Sequence, residues 1–161
     1  MPEITLIVGP EADKIPGYLL WQVSKLWQRR LNGALGELGL SSTQAVILIN
    51  VPRLNQEQRT VTQMLLAEVT KVDRMTVSQS IRSLERKGLV KRVVAATNKR
   101  AYHVAVTKIG GKVAMQALER IIAAHDAFFA SLGQQAGEYI TLMQELIKSN
   151  DLTEDTHETN S

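Results

Sequence analysis

A short basic stretch of the chain carries polar side chains at helical spacing that suit contact with nucleic acid. At 100° per residue, an arc of roughly 60° on one α-helix contains Met75, Gln79, Arg82 and Arg86. Glutamine can form two hydrogen bonds with adenine, and arginine can form two with guanine, in the major groove of DNA. The pattern therefore predicts a helix that reads base edges, with Ser78, Gln79 and Arg82 as its principal readers.

Neighbouring hydroxyl and basic residues extend this candidate surface. The hydroxyls of Thr76 and Ser78 can reach base edges or phosphates, and the methyl groups of Met75 and Thr76 can touch thymine. Arg74 lies nearer the side of the helix and Arg86 nearer its end, so we expect both to contact phosphate. Each residue alone also fits an ordinary exposed polar side chain, so the prediction rests on the group. The predicted DNA-binding residues are Arg74, Met75, Thr76, Ser78, Gln79, Arg82, Arg86, Lys99 and Arg100.

The helix that carries most of these residues is predicted to span residues 73–87. Asp73 suits its N-cap, because a carboxylate accepts from free backbone N–H groups and favours the positive end of the helix dipole. Gly88 is typical of a helix end. An apolar stripe suited to pack on a core lies opposite the polar side, at Val77, Ile81 and Leu84.

A second helix and a hairpin flank this helix. Thr62 suits the N-cap of a preceding helix, and the break over residues 70–72 joins the two as a helix-turn-helix. Residues 89–95 and 101–107 are rich in β-branched residues and predict two strands, with a polar turn over residues 97–100. The whole predicts a winged helix, whose tip residues Lys99 and Arg100 would enter the adjacent minor groove or contact its phosphates.

The charge of this region differs from that of the rest of the chain. Residues 71–108 hold ten basic and two acidic residues, a net charge of +8, whereas the whole chain carries +3 and the remainder therefore −5. A basic cluster alone is usually a solvated face. On a helix-turn-helix with a wing, it favours attraction to phosphates.

Three segments of this region match a known family pattern. They are TQMLLA from Thr62, DRMTVSQSIRSLERKGLVKR from Asp73 and KRAYHVAVTKIG from Lys99. The chain resembles the MarR (multiple antibiotic resistance regulator) family of bacterial transcription factors over residues 15–148. Members usually carry an Asp before the basic pair of the wing, where it helps to hold the wing arginine. Here Asn98 stands at that position, while Arg100 matches the arginine.

The resemblance implies a two-fold homodimer with one winged helix per half-site of double-stranded DNA. For such a family it most often implies repression until a small-molecule effector shifts the protein to a conformation that fits DNA poorly. It also implies effector pockets between the N-terminal helices and the winged-helix lobe, where Tyr18, Trp21 and Trp27 are candidates. Aromatic residues on an apolar stripe more often belong to a core, so no ligand residue is assigned.

The outer parts of the chain predict long helices. The first spans residues 15–38 and ends at Gly39, and the second begins at a capping box of Ser41 and Gln44 and has Pro52 in its last turn. A third spans residues 107–132, with Thr107 as its cap and Gly133 at its end, and a fourth spans residues 135–148. They carry more apolar surface than one winged helix covers, so we expect a symmetric dimer. A monomer that folds these helices back on itself is the alternative.

The sequence thus predicts a mainly α fold with a small β-hairpin wing. Its parts are an N-terminal arm at 1–14, N-terminal dimerisation and scaffold helices at 15–54, a DNA-binding winged helix-turn-helix at 55–109, C-terminal dimerisation helices at 110–150 and an acidic, disordered tail at 151–161. No apolar run approaches the ~20 residues of a membrane span, and the apolar run at residues 4–8 lacks the features of a signal peptide. We therefore expect a cytoplasmic protein without a membrane partner.

Several other chemistries find no support in the residues. The chain has no cysteine, which excludes thiol-based redox sensing and cysteine-ligated metal sites. His103, His125 and His157 lack metal-ligand spacing, and the Gly110 and Gly111 pair lacks the full spacing of a phosphate loop. We therefore predict no metal, no cofactor and no enzyme. The alternative to a DNA-binding regulator is a winged helix used for protein contacts, whose exposed helix face should be apolar or mixed.

Overall fold

The computed structural model describes the backbone of residues 12–95 and 98–154 and the side chains of residues 12–94 and 102–150. The chain divides into two compact units, residues 1–124 and 125–161. Within the described residues it forms six α-helices and one two-stranded sheet. They are α1 (Pro16–Leu35), α2 (Ser42–Gln56), α3 (Gln63–Thr70), α4 (Arg74–Arg86), β1 (Val90–Ala95), β2 (Asn98–Val106), α5 (Lys108–Phe129) and α6 (Ala136–Glu154).

The predicted helix starts are confirmed. Ser41 and Gln44 form a capping box in which each side chain bonds to the other's backbone N–H. Thr62 accepts from the backbone N–H of Leu65 at 3.1 Å and so caps α3. Thr107 accepts from the backbone N–H of Gly110 at 2.9 Å at the start of α5. Side-chain oxygens satisfy N–H groups that a helix leaves free in its first turn, so such starts are encoded locally.

Several predicted helix ends are wrong. Pro52 lies inside α2 and not in its last turn, because the helix continues to Gln56. Pro52 stands between the fully buried Val51 and Leu54. The prediction for residues 107–132 runs past the end of α5 at Phe129, after which a 3₁₀ segment (Ala130–Gln135) contains the left-handed Gly133, φ 50°.

The two outermost helices also differ from their predicted lengths. α1 gives way after Leu35 to a 3₁₀ turn (Gly36–Leu38), and Gly39 ends it as predicted, with φ 63°. α6 continues to Glu154, into the segment expected to be disordered. Residues 1–11, most of the predicted N-terminal arm, and residues 155–161 lie outside the described part of the chain.

The hairpin is antiparallel and has an irregular outer end. Val90 pairs with Val106 and Val94 with Tyr102, but Ala95 then pairs with Asn98, so the register shifts between Val94 and Ala95. The predicted turn over residues 97–100 is therefore wrong for residues 98–100, which belong to strand β2, and residue 97 lies outside the described residues. Polar residues are depleted in strands and suggested a turn, yet a strand at the edge of a sheet accepts them.

One continuous apolar core joins the elements of the first unit. α2 lies at its centre and buries Ala45, Ile47, Leu48, Val51 and Leu54. The other elements of the first unit contribute the remaining buried members, which are Leu35, Leu40, Val61, Leu66 of α3, three residues of α4, Leu89, Val90 and Val104 at the base of the hairpin, and Ala114 and Ala117 of α5. The helix-turn-helix, the hairpin and the start of α5 therefore share one support.

The end of α4, the base of the hairpin and the start of α5 meet at the backbone carbonyl of Leu89. The backbone N–H of Thr107 donates to this carbonyl at 3.0 Å, and the Thr107 hydroxyl donates to the carbonyl of Gly88 at 2.7 Å. A Cβ atom on Gly110 would lie 1.8 Å from the Leu89 oxygen. Only glycine permits this approach, so Gly110 fixes how closely α5 packs on the base of the wing.

No single helix among the described residues is long and apolar enough to cross a membrane. One bent pair, residues 16–38 with residues 42–56, passes a test of length and composition when its two members are taken together.

Gly110→Ala is expected to destabilise the protein, because the added methyl group would overlap the Leu89 carbonyl. Inserting a methyl group into packed structure costs about 1–3 kcal/mol. The matched control is Gly111→Ala, where an added Cβ would meet nothing within 4 Å and the better helix propensity of alanine favours folding by about 1 kcal/mol. Urea unfolding of both variants measures the difference, and equal midpoints would contradict the proposed role of Gly110.

Candidate nucleic-acid interface

Helix α4, called the recognition helix below, has one buried and one outward side. Val77, Ile81 and Leu84 are at most 1% exposed. The opposite side, called the outer face, carries the exposed Met75, Gln79, Arg82 and Arg86, and the exposed Arg74 and partly exposed Thr76 and Ser78 flank it. The structure thus brings together the seven predicted DNA-binding residues that lie on this helix. Their contact with DNA stays a prediction.

The start of the recognition helix is fixed by its N-cap and by the preceding turn. Asp73 Oδ1 accepts from the backbone N–H of Thr76 at 2.8 Å, which confirms Asp73 as the N-cap. Hydrogen bonds from the side chain and then the backbone of Thr76 hold the pKa of Asp73 below its ordinary value. Lys71 makes the turn between α3 and the recognition helix with φ 54°.

Helix α2 holds the recognition helix from the side near its C-terminal end. Gln44 Nε2 donates to Ser83 Oγ at 3.1 Å, and Lys87 Nζ donates to Gln44 Oε1 at 3.0 Å. Lys87 Nζ also donates to the carbonyl of Gly39. Lys87 therefore bonds to the protein itself, although its charge still adds to the local positive field.

Arg92 on strand β1 is a site residue that sequence reasoning counted only as a charge. Its Nε lies 3.4 Å from Glu85 Oε2 but makes no directed hydrogen bond, so the contact is electrostatic. Its guanidinium carbon lies 4.8 Å from the centroid of the Tyr102 ring, a cation–π distance. The strand register brings Arg92 and Tyr102 together as diagonal neighbours, because Arg92 pairs with Val104 and Val94 pairs with Tyr102. No local sequence signal reveals that pairing.

A groove of about 520 Å³ runs between the recognition helix and the hairpin. Its lining consists of Gln79, Arg82, Glu85, Arg86 and Arg92. Three guanidinium groups face one carboxylate there, so the groove is positively charged. Guanidinium groups bind phosphate through paired hydrogen bonds, and the neighbouring glutamine amide can donate and accept. The arrangement suits a polyanion that carries both phosphates and hydrogen-bonding edges.

The side chains at the tip of the wing lie outside the described residues. Lys99 and Arg100 were predicted to contact DNA, and Asn98 was identified as the departure from the family pattern. Their backbone belongs to strand β2.

The first unit also has an apolar surface, along helix α1. It includes Leu19, Leu20, Trp21, Val23 and Leu26, each at least 37% exposed. The rings of Tyr18 and Trp21 stack with centroids 6.0 Å apart and, with Ile15 and Gly17, line a hollow of about 510 Å³. Trp27, the third aromatic candidate for an effector pocket, is partly buried and is not among these lining residues.

The second unit presents a similar surface on helix α6. Ile140, Leu142, Leu146 and Ile147 are each more than half exposed. Soluble proteins rarely leave large contiguous apolar patches exposed unless something binds them.

No group of three metal-binding side chains is found in the part of the chain that the structure describes. His103 lies on strand β2, paired with Val93. The ring of His125 lies 4.8 Å from that of Phe129 on helix α5.

The chain is similar in sequence to transcriptional regulators. The sequence model of the MarR family matches residues 38–101, a span that includes the whole helix-turn-helix. The HTH-type transcriptional regulator YdcH of Bacillus subtilis (strain 168) is 35% identical over 140 residues, which are 87% of this chain and 93% of that protein.

Two solved structures share the fold at lower sequence identity. MepR of S. aureus, solved as a complex with DNA, is 21% identical with a TM-score of 0.74, and the match covers 84% of this chain and 98% of that one. CouR from Rhodococcus jostii RHA1, solved with p-coumaroyl-CoA bound, is 24% identical with a TM-score of 0.68, covering 83% of this chain and 89% of that one. These matches confirm the predicted mainly helical winged-helix fold.

Asp73→Asn is expected to weaken the pH dependence of stability while keeping the cap hydrogen bond. Because folding lowers the pKa of Asp73 from its ordinary 3.8, its contribution is complete above that value and is lost as the pH falls through the folded pKa. Wild type should therefore be more stable than the variant at pH 6, and the two should converge as the pH falls below 3.8 in urea titrations. Asp126→Asn, at an exposed position within α5, is the control for the loss of one negative charge. A constant difference between wild type and Asp73→Asn would contradict the role of the ionised cap.

Proposed function

Because the chain belongs to the MarR family of transcriptional regulators, we propose that it is a homodimeric repressor that binds a pseudo-palindromic operator and is released by a small-molecule effector. As a DNA-binding regulator with a winged helix, it is not an enzyme. One observation carries the operator proposal: the groove beside the outer face of the recognition helix brings Gln79 together with three arginines, Arg82, Arg86 and Arg92.

The side chains of this surface divide into two roles. Gln79 and Arg82 lie in the middle of the outer face and line the groove, so we assign them with Ser78 to base edges, where each good two-bond contact discriminates between bases. Arg74 and Arg86 lie at the two ends of the recognition helix and are assigned to phosphates. Lys99 and Arg100 on the wing are assigned to the adjacent minor groove or its phosphates.

The exposed apolar side chains support a dimer formed by a second copy of this chain. Helices α1 and α6 both present large apolar residues to solvent, and two-fold association of identical chains is the commonest way to cover such surfaces. A two-fold dimer presents two recognition helices, so the operator should contain two half-sites about one helical turn of DNA apart.

Two observations support a small-molecule effector. CouR was solved with p-coumaroyl-CoA bound, which supports the general expectation that a chain of this fold accommodates a small molecule. The hollow beside Tyr18 and Trp21 offers an apolar, aromatic lining. An effector would act by binding more tightly to a conformation that fits DNA poorly. We place this regulator in the cytoplasm.

Selection of duplexes from random DNA tests the operator proposal. The purified protein should enrich a two-part site and bind it with an affinity that falls steeply with salt, because lysine and arginine contacts release counterions. Arg82→Ala should relax preference at one base position by about 1–3 kcal/mol, and Lys99→Ala should weaken all sequences alike and lower the salt slope by about 1.

Three outcomes would contradict these assignments. Weak binding to every duplex would overturn the operator proposal and favour a winged helix that contacts protein. Identical behaviour of the two variants would overturn the division between base readers and phosphate contacts. A single, undivided site would argue against the dimer.

The dimer can be tested directly by a charge placed on helix α1. Leu26 is 54% exposed in the single chain, so Leu26→Asp should cost little within the chain but strongly disfavour a dimer that buries it. Analytical ultracentrifugation should then show a shift towards monomer. The matched control is Gln28→Asp, two positions along the same helix on the other side, which should remain dimeric. Equal masses for wild type and Leu26→Asp would exclude α1 from the interface.

A further inference from the structure

A chain of side-chain contacts joins the wing to the start of the recognition helix. Tyr102 Oη, on strand β2, donates to Gln63 Oε1 at 2.8 Å. The amide nitrogen of the same glutamine donates to the backbone carbonyl of Arg74 at 3.1 Å. Gln63 is the first residue of α3 and Arg74 the first of the recognition helix. One side-chain amide thus uses its acceptor towards the wing and its donor towards the helix.

Tyr102 also contacts the recognition helix by a second route. Its ring lies against the guanidinium of Arg92, and Arg92 lies 3.4 Å from the carboxylate of Glu85. The two routes reach the helix at Arg74 and at Glu85. These positions are eleven residues apart, roughly 16 Å along a helix that rises 1.5 Å per residue. Two attachments at that separation define an angle as well as a distance.

The apolar packing at the base of the wing does not by itself define that angle. Leu89, Val90 and Val104 are buried in the common core, and the backbone N–H of Val104 donates to the carbonyl of Val61 at 2.8 Å. Apolar packing is not directional, and a two-stranded hairpin is barely stable by itself. Hydrogen bonds weaken steeply as they bend. The Val104–Val61 bond therefore orients the base of the hairpin, and the contacts of Tyr102, two residues nearer the tip, resist a tilt of its outer part.

We propose that the Tyr102–Gln63 hydrogen bond and the bond from Gln63 to the Arg74 carbonyl form a positioning bridge. This bridge holds the wing at a fixed angle to the recognition helix, so that both can contact DNA together. The polar atoms of the two side chains are used on each other and on the Arg74 carbonyl, so we assign both residues to positioning and not to direct contact with DNA. The inference about DNA rests on the proposed operator binding. Its geometric part, the fixed angle between wing and helix, can be measured without DNA.

The geometric test uses distances between two spin labels. The chain has no cysteine, so Met75→Cys and Val94→Cys introduce the only two attachment sites, both at exposed positions, one on the recognition helix and one on the wing. Pulsed electron resonance should give a narrow distance distribution in the labelled parent and a broader or shifted one with Tyr102→Phe. This variant keeps the ring over Arg92 and removes only the hydroxyl. Tyr139→Phe, the same change on helix α6, is the matched control and should leave the distribution unchanged.

The functional test is a double-mutant cycle on the selected duplex. Tyr102→Phe should weaken binding about 3- to 30-fold, the range expected for residues that act by coupling. Lys99→Ala should then cost much less in the Tyr102→Phe background than alone, because a wing that is no longer held makes its contact poorly. Gln63→Glu can accept from Tyr102 but cannot donate to the Arg74 carbonyl, and it should show the same coupling.

The possible failures are distinct. An unchanged label distance in Tyr102→Phe, or costs that simply add in the cycle, would overturn the bridge, since a general loss of stability predicts additive effects. If wild type selects no duplex, the proposed function fails, and the label distances alone decide whether the bridge fixes the angle. If the urea midpoints of the variants lie near that of wild type, the change in label distance and binding reflects the position of the wing and not a loss of stability.

Discussion

The burial of one stripe of the recognition helix is the constraint on which the rest of the site depends. Val77, Ile81 and Leu84 are at most 1% exposed, and fully burying such side chains stabilises a protein by about 1.5–3 kcal/mol each. Rotation of the helix about its axis would withdraw them from the core at that cost. The outer face therefore points to solvent because the apolar side must stay in the core. The glutamine and arginines of the outer face need no protein contact of their own to be exposed.

Polar contacts then add the direction that apolar packing leaves free. Gln44 and Lys87 connect the C-terminal half of the recognition helix to α2 and to the turn before it. The Leu89 carbonyl and Gly110 fix how closely the wing and α5 approach each other. The basic residues have two roles. Lys87 bonds to the protein itself, whereas Arg82 and Arg86 line the groove. Arg92 has both roles, since it lines the groove and also contacts Glu85 and Tyr102. The local charge of +8 is thus shared between side chains that contact the protein and side chains that line the groove.

Sequence reasoning succeeded where the controlling physics is local. Helix starts were predicted from Ser41, Thr62, Asp73 and Thr107, because each cap needs only an oxygen and N–H groups two or three residues away. It failed where neighbours in space override the local signal. Pro52 sits within α2 because buried residues on both sides hold that helix together, and the polar turn expected at 97–100 is partly strand because an edge strand tolerates polar residues.

The sequence by itself determined the fold class, the two sides of the recognition helix and the sign of the local charge, since these follow from periodicity and composition. Only the tertiary structure decided which polar residues act together. Gln44 meets Ser83 across 39 positions, Lys87 meets Gly39 across 48 and Tyr102 meets Gln63 across 39. Such pairs have no fixed spacing along a chain, because their distance depends on how separate elements pack and on the strand register. The sequence therefore presents candidate readers of DNA, and packing selects the residues that position them.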